Sequence, residues 1–415
     1  MVYCKNHHEQ AIRLSQNPLD EAIKKLRRDI AGDRQKIAEE TDHICRQIEA
    51  ERPPAPQAPV IDDPDYIKTA LAAERLLGQM AERLRDPTRH ARVSLASSLV
   101  ESCNAVTAEG RGATPRRLLQ FTAHGGETSA HFENLSGAMD VFETLQSRHN
   151  SSQRSFTAEL ITQVAIRSSI RSRNWLEPDD IPQWRTIVAD RQVPCPVAED
   201  MIEGLYSRIL NIPTNSGLIG AADALYIVLN VMSSARLGSL DLSITTAEQN
   251  LHVEVDDPQA AYWNRICRII ISDIIGHFCQ GIHVPIISGV ALTQRMPKLT
   301  ELLHKHLPAR MARPLTIGIL ADGIEKLAHI DQQMKQVWDR AALLANEGRG
   351  TSLEKINKRL FQTGSICVSD IVRECDITPQ AAHYQIKRLL KAGILSRGPR
   401  GRAGGHYFLD VLLQI

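Results

Sequence analysis

The pair Thr378-Pro379 and the glycine at position 393 bracket a helix more tightly than any other feature of this chain. Threonine is a good N-cap, because its hydroxyl accepts a first-turn N–H that has no partner within the helix. Proline suits the first helical position, where it has no N–H to lose and its φ is already helical. A glycine just past the end can take the left-handed conformation that stops a helix. Between these signals Ala382, Ile386, Leu389 and Leu390 give one apolar face. Upstream, Val368 to Cys375 reads as a short helix with Ser369 near its start, and Asp376-Ile377 as the turn between the two. Leu353, Ile356 and Leu360 share a face of a preceding helix. Downstream, Ile394-Leu395 begins a strand, residues 397–405 form a basic, glycine-rich loop, and His406 to Leu409 return as a second strand.

Helix, helix-turn-helix and hairpin in this order make a winged helix. The segment resembles the winged-helix modules of bacterial transcription regulators and of Fic-domain proteins alike. Its charge sets it apart. Residues 351–415 carry ten Lys and Arg against five Asp and Glu, while the other 350 residues carry 39 against 43. The formal net charge of +1 therefore conceals a local basic module, the electrostatic footprint expected of a nucleic-acid binder. On the helix bracketed by Thr378 and Gly393, Gln380 is placed to read adenine in the major groove, and His383 and Tyr384 to contact bases or phosphate. Lys387, Arg388 and Lys391 are expected at backbone phosphates, and Arg397, Arg400 and Arg402 at the minor groove from the loop.

Residues 62–346 read as one all-α domain. Apolar side chains recur at helical spacing over Tyr66–Leu84, Leu95–Cys103, Val197–Leu210 and Ile317–Ala341. Gly217–Met232 and Ile266–Phe278 are apolar nearly all round and are expected to be buried helices. Val253-Glu254-Val255 is the one candidate strand, and polar loops are expected near 108–117, 148–153 and 245–259. The order of elements resembles a Fic-domain protein with a C-terminal winged helix. Ser97-Ser98-Leu99-Val100-Glu101-Ser102 matches the Ser/Thr-x-x-x-Glu-Gly/Asn inhibitory motif of that family at Ser97 and Glu101, with Ser102 in the final place. Val193-Pro194-Cys195-Pro196 resembles the break before the Fic core, residues 220–226 its next buried helix, and residues 292–299 the segment after its last core helix. The active His-Pro-Phe-x-Asp/Glu-Gly-Asn-Gly-Arg signature does not occur. Asn264 and Arg265 stand where its Asn and Arg would stand, without the glycines that let backbone approach phosphate. The resemblance thus implies a vestigial nucleotide site at Ser97, Glu101, Asn264 and Arg265, with no catalytic residue.

Toward the N-terminus Ile23, Ile30, Ile37 and Ile44 recur every seventh residue in a stretch rich in Glu, Lys and Arg. A helix over about 19–51 follows, with half a coiled-coil seam, because Asp33, Glu40 and Gln47 fill the other core positions. Such a stripe serves self-association or docks on its own core. Residues 53–59, with four prolines, form an extended spacer.

Several classes are disfavoured. Aromatics at 4% argue against stacking platforms for single strands. No apolar run reaches the ~20 residues that span a bilayer, and the first residues do not read as a signal peptide. The eight cysteines are scattered, as expected of reduced thiols in a cytoplasmic protein. There is no phosphate loop, no GxGxxG, no HExxH and no paired metal-ligand spacing, so neither metal nor cofactor is expected. The expected fold is mostly α: an N-terminal helical arm and spacer over 1–60, a Fic-like helical core over 61–346 and a winged helix over 347–415. The expected function is sequence-specific binding of double-stranded DNA by a homodimer, as a transcription regulator or a replication or transfer factor of a bacterial genetic element. The alternatives are a divergent Fic-like adenylyltransferase and a non-enzymatic adaptor.

Overall fold

The computed structural model describes residues 64–107, 113–123, 135–151, 155–169, 184–188, 191–195, 197, 199–214, 216–243, 258–304, 309–347, 351–398 and 405–414. The arm with its Ile23, Ile30, Ile37 and Ile44 seam, the proline spacer, Val253-Glu254-Val255, Arg400 and Arg402 lie outside these residues.

The fold is mostly α. Helices α1 (Pro64–Arg83), α2 (Pro87–Thr107), α3 (Pro115–Ala123), α4 (Ser136–His149) and α5 (Ala158–Arg167) come first. A two-stranded antiparallel ribbon follows, β1 (Trp184–Val188) against β2 (Arg191–Cys195), with Trp184 opposite Cys195. Then come α6 (Glu199–Leu210), α7 (Gly217–Ser243), α8 (Pro258–Phe278), α9 (Gly289–His304) and α10 (Ala309–Glu347). The C-terminal part adds α11 (Thr351–Thr363), β3 (Ser365–Cys367), α12 (Val368–Cys375), α13 (Pro379–Lys391), β4 (Leu395–Arg397), β5 (His406–Leu409) and α14 (Asp410–Gln414).

The helices expected within the described residues are present, and α7 and α8 are buried almost all round where described, through Leu218, Ala221, Leu225, Val228, Trp263, Ile266, Ile270 and Ile274. Three features differ from expectation. Helix α3 occupies part of the expected 108–117 loop; it opens at Pro115, with the Thr114 hydroxyl accepting the Arg117 N–H at 3.3 Å. Helices α4 and α5 stand where no helix was expected. The β1–β2 ribbon runs through Pro194, a residue that weakens any strand assignment made from sequence.

Two apolar clusters organise residues 63–415, which form one compact unit. The first is built mainly from α1 and α5–α9 with the first half of α10, including Ile317, Leu320, Ile324 and Leu327, and takes Val93 and Ala105 from α2 and Val141 and Leu145 from α4. The second joins Leu95, Leu99, Leu119 and Phe142 to the second half of α10 (Ile330, Met334, Val337, Ala341) and to Leu353, Leu360, Ile371, Ile386 and Phe408 of the C-terminal elements. The expected boundary at 346/347 falls one residue before the end of α10, and the apolar interior runs across it. Gly364, at φ +73°, marks the closeness of this junction: a Cβ there would come within 2.9 Å of Leu119 and 3.0 Å of Leu412.

Charged groups also pin the second cluster. Arg89 forms a two-pronged pair with the buried Asp331 of α10, at 2.6 and 2.5 Å. Arg92, 6% exposed, lays its guanidinium over the Trp338 ring. Burial pushes its pKa below the ordinary arginine value.

Candidate nucleic-acid interface

Helices α12 and α13 are fixed by local chemistry at both ends. Cys367 caps α12 in a reciprocal box with Asp370, whose carboxylate accepts the Cys367 N–H at 3.3 Å and its thiol at 2.9 Å. Burial works against the Asp370 charge; those two hydrogen bonds, with Arg359 and Arg373 nearby, outweigh it and hold the carboxyl below the ordinary value. Asp376 ends α12 in the left-handed region at φ +52°, a conformation that Asp tolerates better than most residues. The chain is thereby turned toward Thr378, whose hydroxyl accepts the Ala381 N–H and opens α13 with Pro379 behind it. Gly393, at φ +65°, closes α13: its N–H donates to Leu390 O at 3.1 Å, and the Ile394 N–H donates to Leu389 O at 3.0 Å.

Strand β5 lies between β3 and β4, antiparallel to both, with Ile366 opposite Tyr407 and Leu395 opposite Leu409. Phe408 and Leu409 from the central strand and Ala382, Ile386 and Leu389 from α13 are buried, so the inner face of the helix is fixed. Its outer face is fixed as a consequence. Gln380, His383, Tyr384, Lys387 and Lys391 are all exposed; each lies three or four residues from another of the set, so together they form a continuous stripe. Tyr384 presents 62% of its surface. Arg397 is exposed at the end of β4.

Arg388 departs from the expectation that it faces phosphate. It is half-buried, and its guanidinium donates to the carbonyl of Leu344 at 3.0 Å and to Gln385 Oε1 at 3.3 Å. Helical spacing puts it beside Lys387, but the end of α10 lies within its reach. No sequence periodicity reports a contact between residues 44 apart.

The four residues of the expected vestigial nucleotide site belong to the interior. Ser97, Glu101, Asn264 and Arg265 are each at most 6% exposed. The Glu101 carboxylate accepts the Gly289 N–H at 2.9 Å, the Ser288 hydroxyl at 3.2 Å and Arg268 Nη1 at 3.3 Å, so it caps α9. Asn264 donates to Ala105 O at 3.0 Å and accepts from Arg268 Nε at 3.1 Å. Arg265 donates to Ser168 O at 3.0 Å, and Ser97 to Ser94 O at 3.4 Å. Asn264, Glu101 and Arg268 form one bonded group, as a shared site would require, but Arg265 points to a different carbonyl. Sequence reasoning missed Arg268. The signal was available: Arg265 and Arg268 are three apart on a largely apolar helix, so both cations need buried acceptors.

A polar cavity of about 450 Å³ lies between the end of α4 and the start of α5, lined in part by Thr144, Ser151, Thr157, Arg148 and Arg167. Arg148 is bonded to Asp273 at 2.7 Å and Arg167 to Ser147 at 2.7 Å. Among the described residues no group of three His, Cys, Asp or Glu is placed to hold a metal ion, and no helix is long and apolar enough to cross a membrane. Compared with protein-family models and with curated proteins, the chain finds no match.

Proposed function

We propose that this chain is a cytoplasmic, sequence-specific double-stranded DNA-binding protein whose residues 351–414 form a winged helix with α13 as the recognition helix. The observation that carries this reading is the exposed stripe Gln380, His383, Tyr384, Lys387 and Lys391 on a helix whose opposite face is fully packed. A helix about 10–12 Å across enters the major groove. Gln380 offers the donor and acceptor pair that reads adenine, and the two lysines fall toward the phosphates. Arg397, with Arg400 and Arg402 close after it in the sequence, adds cations to the same module. Transcription regulation, or replication or transfer of a bacterial genetic element, is the role this chemistry suits. The protein acts as a homodimer, because two copies on a pseudo-palindrome multiply the few base contacts one recognition helix makes. A Fic-like ancestry of the helical core accords with the Glu101, Asn264 and Arg268 group; the engagement of these residues with one another and with backbone favours a structural use over nucleotide transfer.

Anisotropy titrations of the full chain against a randomised duplex pool, across salt concentrations, test the reading. Affinity should fall steeply with salt, and Lys387→Ala with Lys391→Ala should flatten the slope by about one unit per lost phosphate contact. A slope near zero for the unmodified chain would sink it.

A further inference from the structure

We propose that Arg388 is a positioning residue that trims the rotation of α13 about its axis, within the setting its buried face imposes, and with it which bases the helix reads. The inference rests on the DNA-binding reading and deepens it. Leu344 lies in the last turn of α10, which ends at Glu347. The last four carbonyls of a helix have no intrahelical donor and carry the negative end of its dipole. The Arg388 guanidinium meets one of them at 3.0 Å while a second nitrogen is held by Gln385 on its own helix at 3.3 Å. The fork is therefore anchored at both prongs, one on α13 and one on α10. A planar guanidinium holds such a geometry, whereas an ammonium makes only a point contact.

The position of the anchor matters as much as its strength. Arg388 borders the exposed stripe, one residue beyond Lys387 and four beyond Tyr384. Side-chain tips stand about 5–6 Å from a helix axis, so a rotation of about 20° moves them by about 2 Å. A hydrogen bond to a base edge tolerates only a few tenths of an ångström. Phosphate contacts made by long lysine side chains tolerate far more, because their stems re-extend. Loosening the anchor should therefore cost discrimination between sequences before it costs general affinity.

The test uses the full chain and duplexes recovered from a randomised pool, with scrambled duplexes of equal length as reference. Arg388→Lys keeps the charge and loses the fork. It should reduce the preference for recovered over scrambled duplex about tenfold, within the range of one lost bidentate base contact, and leave the salt slope as in the parent. Without DNA, backbone amides in the last turn of α10 and in α13 should exchange hydrogen faster in Arg388→Lys than in the parent. Full retention of preference by Arg388→Lys, unchanged exchange, or a slope flattened by about one unit in Arg388→Ala would overturn the proposal; the last result would make Arg388 a phosphate contact while the DNA reading stood. A parent chain that enriches no duplex would end that reading and this proposal together.

Discussion

The Arg92 guanidinium carbon lies 4.2 Å from the centroid of the Trp338 ring, joining α2 to α10 inside the second apolar cluster. The face of the indole attracts a cation, and desolvation strengthens that attraction. Desolvation also carries a cost, since Arg92 Nη1 is buried and has no hydrogen-bond partner among the described residues. Truncation and apolar replacement should then behave differently. Arg92→Ala, which opens a cavity beside Trp338 and Phe361, should lose about 2–4 kcal/mol in urea unfolding. Arg92→Met fills the space without the unpaired donor and should stay within about 1 kcal/mol of the parent, or exceed it. An Arg92→Met variant as weak as Arg92→Ala would show that the cation itself holds the joint.

Glu101 is placed as a cap for α9 and as the partner of the buried Arg268. Glu101→Gln leaves the Arg268 charge uncompensated and should cost about 3–5 kcal/mol. On the reading that this group is structural, neither the parent nor Glu101→Gln should transfer label from radiolabelled ATP with Mg²⁺ to lysate proteins. Labelling by the parent that disappeared in Arg265→Ala would restore the adenylyltransferase alternative.

Burial holds the His277 pKa below the ordinary 6.5, with the ring packed edge-on to Phe278 at 4.8 Å and tilted against Phe156 at 5.8 Å. A lowered folded-state value means that the unfolded chain takes up the proton first. The contribution of His277 to stability is then complete above pH 6.5 and declines as pH falls below it toward the folded-state value. The thermal midpoint of the parent should drop between pH 6.5 and about 5, above the carboxylate range, by more than that of His277→Leu. Parallel curves for the two proteins would show that His277 is not the group responsible.

The half-seam of isoleucines gives a separate test of assembly. Ile30→Asp with Ile37→Asp places two charges on the stripe and should bring the light-scattering mass down to that of one chain. The DNA midpoint should rise with it, because a single recognition helix forfeits half of the contacts. A parent already of one-chain mass at micromolar concentration with full affinity would assign the stripe to its own core.

What was legible in the sequence followed from local chemistry. Thr378-Pro379 and Gly393 placed α13 to the residue, since capping is decided within one turn of chain. Thr114-Pro115 opens α3 by the same means, but the polar residues around it obscured the signal. The ribbon through Pro194 was hidden because its pairing is made across a turn and not by the side-chain pattern alone. The exposure of Gln380, His383, Tyr384, Lys387 and Lys391 was legible because exposure on a helix repeats with its period. Arg388, Arg268 and Glu101 required knowledge of which carbonyl, carboxylate or helix end lies opposite, and that is settled by packing between distant segments.

Helix α10 is a single 39-residue rod with one half seated in each apolar cluster. The inheritance of the last 65 residues is thereby tied to that of the helices before them. A recombination event that joined 351–415 to a foreign chain would strand Leu353, Leu360 and Phe408 without Leu95, Leu119 and Met334. Crossovers that spare both clusters must fall before Pro64, so a lineage can exchange only what precedes that residue, while the exposed stripe of α13 changes by substitution alone.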